Sequence, residues 1–215
     1  MLAAAVLLSG YLLGSLPWSL WMGRLRGVDL RTQGSGNLGA TNVYRVLGWK
    51  PGVLVLLLDI AKGFAAVMIA RATTGGGALP VAVGLAAVTG HMLSPFASWK
   101  GGKGVATGLG VFLGLAPLAA ASSFLVWAAA LALGGWVSVA SVLAATVLPF
   151  FVFLTRDELD GRFPWVFSFA VMLAILVGFR HRRNWRRLRE GTEQKIWENR
   201  PESPERGALP PGGAR

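Results

Sequence analysis

Long runs without charge dominate this chain and leave it few ways to fold. Leu2–Met22, Gly52–Ala70, Ala78–Leu93, Trp136–Leu154 and Phe163–Phe179 are predominantly apolar. Each approaches or reaches the about 17–25 residues that an α-helix needs to cross a bilayer. Gly104–Leu133 is also almost wholly apolar, but at about 30 residues it is too long for one straight crossing. Pro117 lies near its middle, where it removes a backbone donor and breaks the helix. Two short or tilted crossings are therefore expected there. The expected fold class is an all-α polytopic membrane protein with about seven transmembrane helices. Five crossings remain the alternative if Gly104–Leu133 is re-entrant or interfacial. Leu2–Met22 lacks both the basic lead residue and the small-x-small cleavage site of a signal peptide, so it reads as an uncut first crossing.

Only 14% of the 215 residues are charged, against about 25% in soluble domains. Lys and Arg number 21, Asp and Glu 10. The basic residues fall mainly in the loop from Gly23 to Lys50, around Lys100 and Lys103, and from Arg180 onward. Basic loops favour the cytoplasmic side, which predicts an outside N-terminus and a cytoplasmic C-terminus. Residues 1–200 read as one integral membrane catalytic domain. Residues 201–215, rich in Pro and Gly, read as a disordered cytoplasmic tail. The absence of cysteine excludes disulfides and thiolate metal sites, and only His91 and His181 supply imidazoles.

The unusual chemistry is confined to three polar islands on the expected inner side. The first, Gly34–Gly48, contains Gly34-x-Gly36-x-x-Gly39, the spacing of a dinucleotide fingerprint. No apolar strand precedes it, and the nearest suitable acid, Asp59, sits inside an apolar run, so the nucleotide reading fails on context. What survives is glycine-rich backbone able to approach an anion, accompanied by Ser35, Asn37, Thr41, Asn42 and Arg45. The second island runs from Ser98 to Thr107 and includes Lys100-Gly101-Gly102-Lys103-Gly104 just before an apolar helix. A helix N-terminus flanked by ammonium groups suits phosphate. The nucleotide P-loop spacing is absent, with Gly104 where Ser or Thr is required.

The third island, Phe179–Glu193, is dense in arginine, and part of that charge serves anionic lipid headgroups. His181 and Asn184 are spaced to share one helix face. Ser138 and Ser141 stand at the inner end of the sixth crossing. Asp59 and Lys62, three apart inside the membrane, read as a structural ion pair. The islands hold no carboxylate pair, no acidic cluster for Mg²⁺ and no His-x-x-x-x-Asp arrangement. The site expected here is cationic and metal-free. A transporter of a phosphorylated anion or lipid headgroup is the competing reading. It would need polar residues through the midplane or on both sides, whereas the outer loops are almost featureless. A lipid kinase would need nucleotide and Mg²⁺ ligands that are missing.

Three blocks together, Gly34–Asn42, Lys100–Thr107 and His181–Glu193, resemble the bacterial acyl-phosphate:glycerol-3-phosphate acyltransferases, integral membrane enzymes. The resemblance runs from about Leu12 to Lys195. It departs at Leu38, where the family commonly has Pro, and at Trp185, where it commonly has Ile. The resemblance implies transfer of a fatty acyl group from acyl phosphate to the sn-1 hydroxyl of glycerol 3-phosphate, giving lysophosphatidic acid and inorganic phosphate. It implies no cofactor, no metal, and no nucleotide or nucleic acid as partner. The partners it implies are fatty acyl phosphate, glycerol 3-phosphate and a bilayer with anionic lipids. The expected location is the bacterial inner membrane, with the site facing the cytoplasm. Carried over by position, Ser35, Lys103, His181 and Asn184 are the candidate catalytic residues. Candidate substrate-binding residues are Gly34, Gly36, Asn37, Gly39, Thr41, Asn42, Arg45, Lys100, Gly101, Gly102, Gly104, Thr107 and Ser141, with Ser141 favoured over Ser138.

Overall fold

The structure, a computed structural model, describes residues 1–198, so the tail expected at 201–215 lies outside the described residues. Those residues form helices and connecting turns, with no strand among them. In chain order the helices are α1 Leu2–Gly14, α2 Trp18–Leu25, α3 Ala40–Leu47, α4 Trp49–Thr74, α5 Leu79–Met92, α6 Val105–Leu115, α7 Pro117–Gly134, α8 Val137–Leu154, α9 Phe163–Arg180 and α10 Arg182–Arg189.

Among the described residues six helical segments are long and apolar enough to cross a membrane: Leu2–Leu25, Trp49–Thr74, Leu79–Ala97, Pro117–Gly134, Val137–Leu154 and Phe163–Arg180. Their outward faces carry large apolar side chains such as Leu57, Ile69, Leu125, Phe150 and Ile175, as a lipid-facing surface requires. The stretch expected to divide near Pro117 does so: α6 ends at Leu115, Ala116 is non-helical, and Pro117 opens α7. The first crossing corrects the expectation of one uninterrupted helix. Pro17 lacks the N–H that would continue α1, and the chain restarts as α2. The Gly23–Lys50 loop holds a helix of its own, α3.

Helix α4 is the axis of the bundle, packing on α1, α3, α5 and α6, while α7, α8 and α9 form a second row joined by the α7–α8 hairpin. The main core comes from α1 and from α4 to α9. A smaller one, around Leu20, Leu30, Val43 and Val55, supports the first polar island. α6 lies backbone to backbone on α4. A Cβ on Gly110 would overlap the Ile60 carbonyl, and one on Gly63 the Thr107 carbonyl. With 11 residues, α6 is about 16 Å long, against about 39 Å for the 26-residue α4. Its far end is tied to the far end of α4, where Arg71 Nη1 donates to Gly114 O at 2.9 Å. The near end of α6, and with it Lys103, therefore sits about halfway along α4.

Candidate active site

Folding gathers the three islands around one cavity of about 180 Å³. Its polar end is lined by Ser35, Asn37, Gly39, Thr41, Asn42 and Arg45, by Lys103, by Ser138 and Ser141, and by His181, Asn184, Arg187 and Glu193. From there it runs between α6, α7, α8 and α9 past apolar groups that include Leu109, Phe112, Phe124, Leu148 and Leu173. The shape suits a molecule with an anionic head and an apolar chain.

Each island reaches the cavity by a different device. In the first, Gly34 (φ 59°) and Gly36 (φ 67°) adopt left-handed backbone that only glycine takes easily. The turn they make folds back on α3. There Asn42 Oδ1 accepts from the Ser35 N–H at 2.8 Å and from its hydroxyl at 3.2 Å, and Asn42 Nδ2 donates to the Leu30 and Gln33 carbonyls. Asn42 is thus the strut of this turn, and Ser35 is the group it presents. Arg45 Nη2 donates to Gln194 O at 3.0 Å, joining α3 to the chain beyond α10.

In the second island Gly104, at φ 86°, is the N-cap of α6, and Lys103 enters the cavity beside it. Lys100 points outward and is exposed. Gly101 and Gly102 do not line this cavity. Their N–H groups donate to Met92 O and His91 O at the end of α5, and His91 occupies the space that a side chain at either position would need. Gly34, Gly36, Gly104 and Thr107 also stand behind the lining, as turn and packing residues.

The third island bends at His181, the last residue of the α9 turn and the N-cap of α10. His181 and Asn184 fall within the first turn of α10, where the Asn184 N–H donates to His181 O at 2.8 Å, and both line the cavity. The His181 ring bonds Val177 O through Nδ1 at 2.8 Å. A carbonyl partner requires Nδ1–H, leaving Nε2 as an acceptor. Asn184 Oδ1 accepts from Lys103 Nζ at 2.6 Å, and Asn184 Nδ2 donates to Glu193 Oε1 at 2.7 Å.

Glu193 adds a single carboxylate to a site expected to be cationic, and it was not among the expected site residues. It is 7% exposed and lies at the centre of the polar end. Its Oε1 also accepts from the Ser138 hydroxyl at 2.8 Å, and its Oε2 from Arg187 Nε at 2.6 Å. Its backbone carbonyl accepts from Trp136 Nε1 at 3.1 Å. The segment it belongs to is strapped to the α7–α8 turn by the Ile196 N–H to Gly135 O bond, at 2.8 Å. Glu193 and Arg187 are six apart with Gly191 between them, so no helical spacing links them in the sequence. Membership of the third block is the only sequence signal for either. Ser141 lines the same cavity and accepts from Trp127 Nε1 at 3.3 Å, so both serines of α8 face the site.

Burial sets the protonation of this cluster. It lowers Lys103 to about 8, with Arg187 and Arg45 pushing the same way and Glu193 opposing. It lowers His181 to about 4, helped by the charge on Lys103. Burial alone would raise Glu193, but hydrogen bonds from Asn184, Arg187 and Ser138, with the Arg187 charge, hold it below the usual carboxylate range. At neutral pH the polar end therefore carries Lys103, Arg45 and Arg187 as cations against the Glu193 anion, with His181 neutral. Among the described residues no group of three or more His, Cys, Asp or Glu side chains is disposed to hold a metal ion.

Comparison with known proteins agrees with this geometry. The profile of the family described as Glycerol-3-phosphate acyltransferase matches residues 4–191. The chain is 45% identical to the glycerol-3-phosphate acyltransferase of Geotalea daltonii, an alignment covering 87% of this chain and 94% of the relative. Its identity to glycerol-3-phosphate acyltransferase 1 of Deinococcus radiodurans is 40%, covering 91% and 96%. Two crystal structures of PlsY (YgiH), an integral membrane glycerol 3-phosphate acyltransferase, superpose on it. The glycerol 3-phosphate form gives a TM-score of 0.84 at 41% identity, over 91% of this chain and 96% of that one. The lysophosphatidic acid form gives 0.82 at 40%, over 91% and 95%. Three islands meeting at one amphipathic cavity, on a shared fold and at this level of identity, place the chain in the glycerol-3-phosphate acyltransferase family.

Proposed function

We propose that this enzyme transfers a fatty acyl group from acyl phosphate to the sn-1 hydroxyl of glycerol 3-phosphate, releasing inorganic phosphate and lysophosphatidic acid. The observation that carries the reading is the two-part cavity. Its cationic end suits phosphoryl groups, and its apolar arm suits an acyl chain. The relatives solved with glycerol 3-phosphate and with lysophosphatidic acid support the same acceptor and product.

In this mechanism the two anions would repel unless held, and Lys103 with Arg45 supplies the clamp. The Ser35 hydroxyl, with Asn37 where the turn lines the cavity, contacts phosphoryl oxygens. The primary hydroxyl of glycerol 3-phosphate attacks the acyl carbonyl. A new C–O bond forms, the acyl–phosphate C–O bond breaks, and the electron pair leaves on phosphate. His181 Nε2 is placed to accept the hydroxyl hydrogen bond. With its pKa at about 4 it orients the nucleophile, and the departing phosphate takes the proton. Asn184 holds the Lys103 ammonium, Glu193 holds Asn184 and Arg187, and both Ser138 and Ser141 border the reacting groups.

The chain is read as one integral domain with seven crossings, counting α6. The far end of α6 reaches the level of Arg71, and α7 returns to the α7–α8 turn beside Glu193. The basic islands set the C-terminus and the site toward the cytoplasm of a bacterial inner membrane, with the N-terminus outside. The exposed arginines of α10 meet anionic lipid headgroups. Purified protein in detergent should release phosphate from palmitoyl phosphate only when glycerol 3-phosphate is present. Release without acceptor, or none with it, would overturn the reading.

A further inference from the structure

Lys103 depends on a loop whose support lies outside the polar islands. The loop is held from one side by Arg180, whose Nη2 donates to Gly102 O at 2.7 Å. From the other side it rests on His91: the Gly102 N–H donates to His91 O at 3.2 Å, and the His91 ring fills the space above Gly102. The neighbouring Gly101 N–H donates to Met92 O at 3.0 Å. His91 Nδ1 in turn lies 3.6 Å from Asp59 Oδ1, which pairs with Lys62 Nζ at 2.8 Å. Lys62 Nζ also donates to Leu16 O at 2.8 Å, at the break between α1 and α2. Asp59 and His91 border the main cavity and also a small one beside it, lined in part by Lys62, Gly101 and Gly102. An ion pair needed only to join helices has no reason to end against a substrate loop.

We propose that Asp59, Lys62 and His91 are positioning residues for Lys103. The pair fixes the His91 ring, and His91 sets the height of the Gly101–Gly102 turn that delivers the Lys103 ammonium. The inference rests on the phosphoryl-binding role of Lys103 given above.

His91→Gln leaves the Asp59–Lys62 pair intact and compensated, so it separates support from folding. Two quantities are read: the glycerol 3-phosphate concentration at half-maximal thermal stabilisation in detergent, and KM for palmitoyl phosphate. A displaced ammonium should raise both about tenfold, with the melting temperature of the ligand-free protein held. Placed in a Lys103→Ala background, the same change should shift them by no more than about twofold, because the group it positions is gone. Asp59→Glu, which keeps the charge on a longer arm, should act in the same direction. Unchanged half-saturation with a lowered melting temperature would reduce His91 to packing and overturn the proposal, as would an undiminished effect without Lys103. A wild type that is stabilised by glycerol 3-phosphate but never turns over palmitoyl phosphate would sink the reaction while leaving the thermal test to decide the positioning. A wild type that neither binds nor turns over would sink both.

Discussion

Two buried charge clusters share this bundle and are built on opposite terms. Asp59 and Lys62 balance each other, each with 3% of its side chain exposed, and Lys62 also donates to Leu16 O. Around Lys103 the cations outnumber the carboxylate, and the cluster opens onto a cavity. A balanced pair leaves little net field for a ligand. An unbalanced, open one carries an electrostatic debt that an incoming anion cancels. The contrast separates a pair that braces the bundle and the loop beside it from a cluster built to receive an anion.

Removing one member should therefore read out differently in each. Asp59→Asn strands Lys62 inside the bundle and is expected to cost about 3–5 kcal/mol of stability. Asp59→Asn combined with Lys62→Met should restore most of it, as measured by thermal unfolding in detergent. Lys103→Ala should reverse the pattern. Turnover falls about 10²–10³-fold, as for loss of a charged transition-state contact, while the melting temperature holds or rises because a desolvated ammonium is gone. A Lys103→Ala protein with normal turnover would end the distinction.

The pH dependence sharpens it further. Lys103 acts as a cation with its pKa at about 8. kcat/KM should accordingly be full below that value and fall about tenfold per unit above it, and Lys103→Arg should move the limb upward. His181 should contribute no limb near the ordinary histidine value, because it is neutral down to about 4. A limb near pH 6.5 that vanishes in His181→Gln would instead make His181 the base. A small effect belongs to Ser138→Ala, about 1 kcal/mol in stability, since Glu193 keeps Asn184 and Arg187. Ser141→Ala should do less to stability and more to KM.

Hydropathy made the long helices legible because a bilayer imposes length. Trp136–Leu154 and Phe163–Phe179 were expected, and α8 and α9 run Val137–Leu154 and Phe163–Arg180. Pro117 marked the α6–α7 break by its missing N–H. Pro17 carries the same signal, yet it lies within an apolar run that reads as continuous. The candidate residues Ser35, Arg45, Lys103, His181 and Asn184 do converge on one cavity. Glu193 was not legible as its centre, because its partners sit on α8 and α10 at no regular spacing. Likewise, Gly101 and Gly102 looked like phosphate cradles. Only the packing of α5 beneath them shows their N–H groups already engaged.

The shortness of α6 has a further effect. Its first turn begins partway down its neighbour, so in the reaction proposed above the hydrophilic acceptor would descend among the helices to meet a donor whose chain lies along the apolar arm of the cavity.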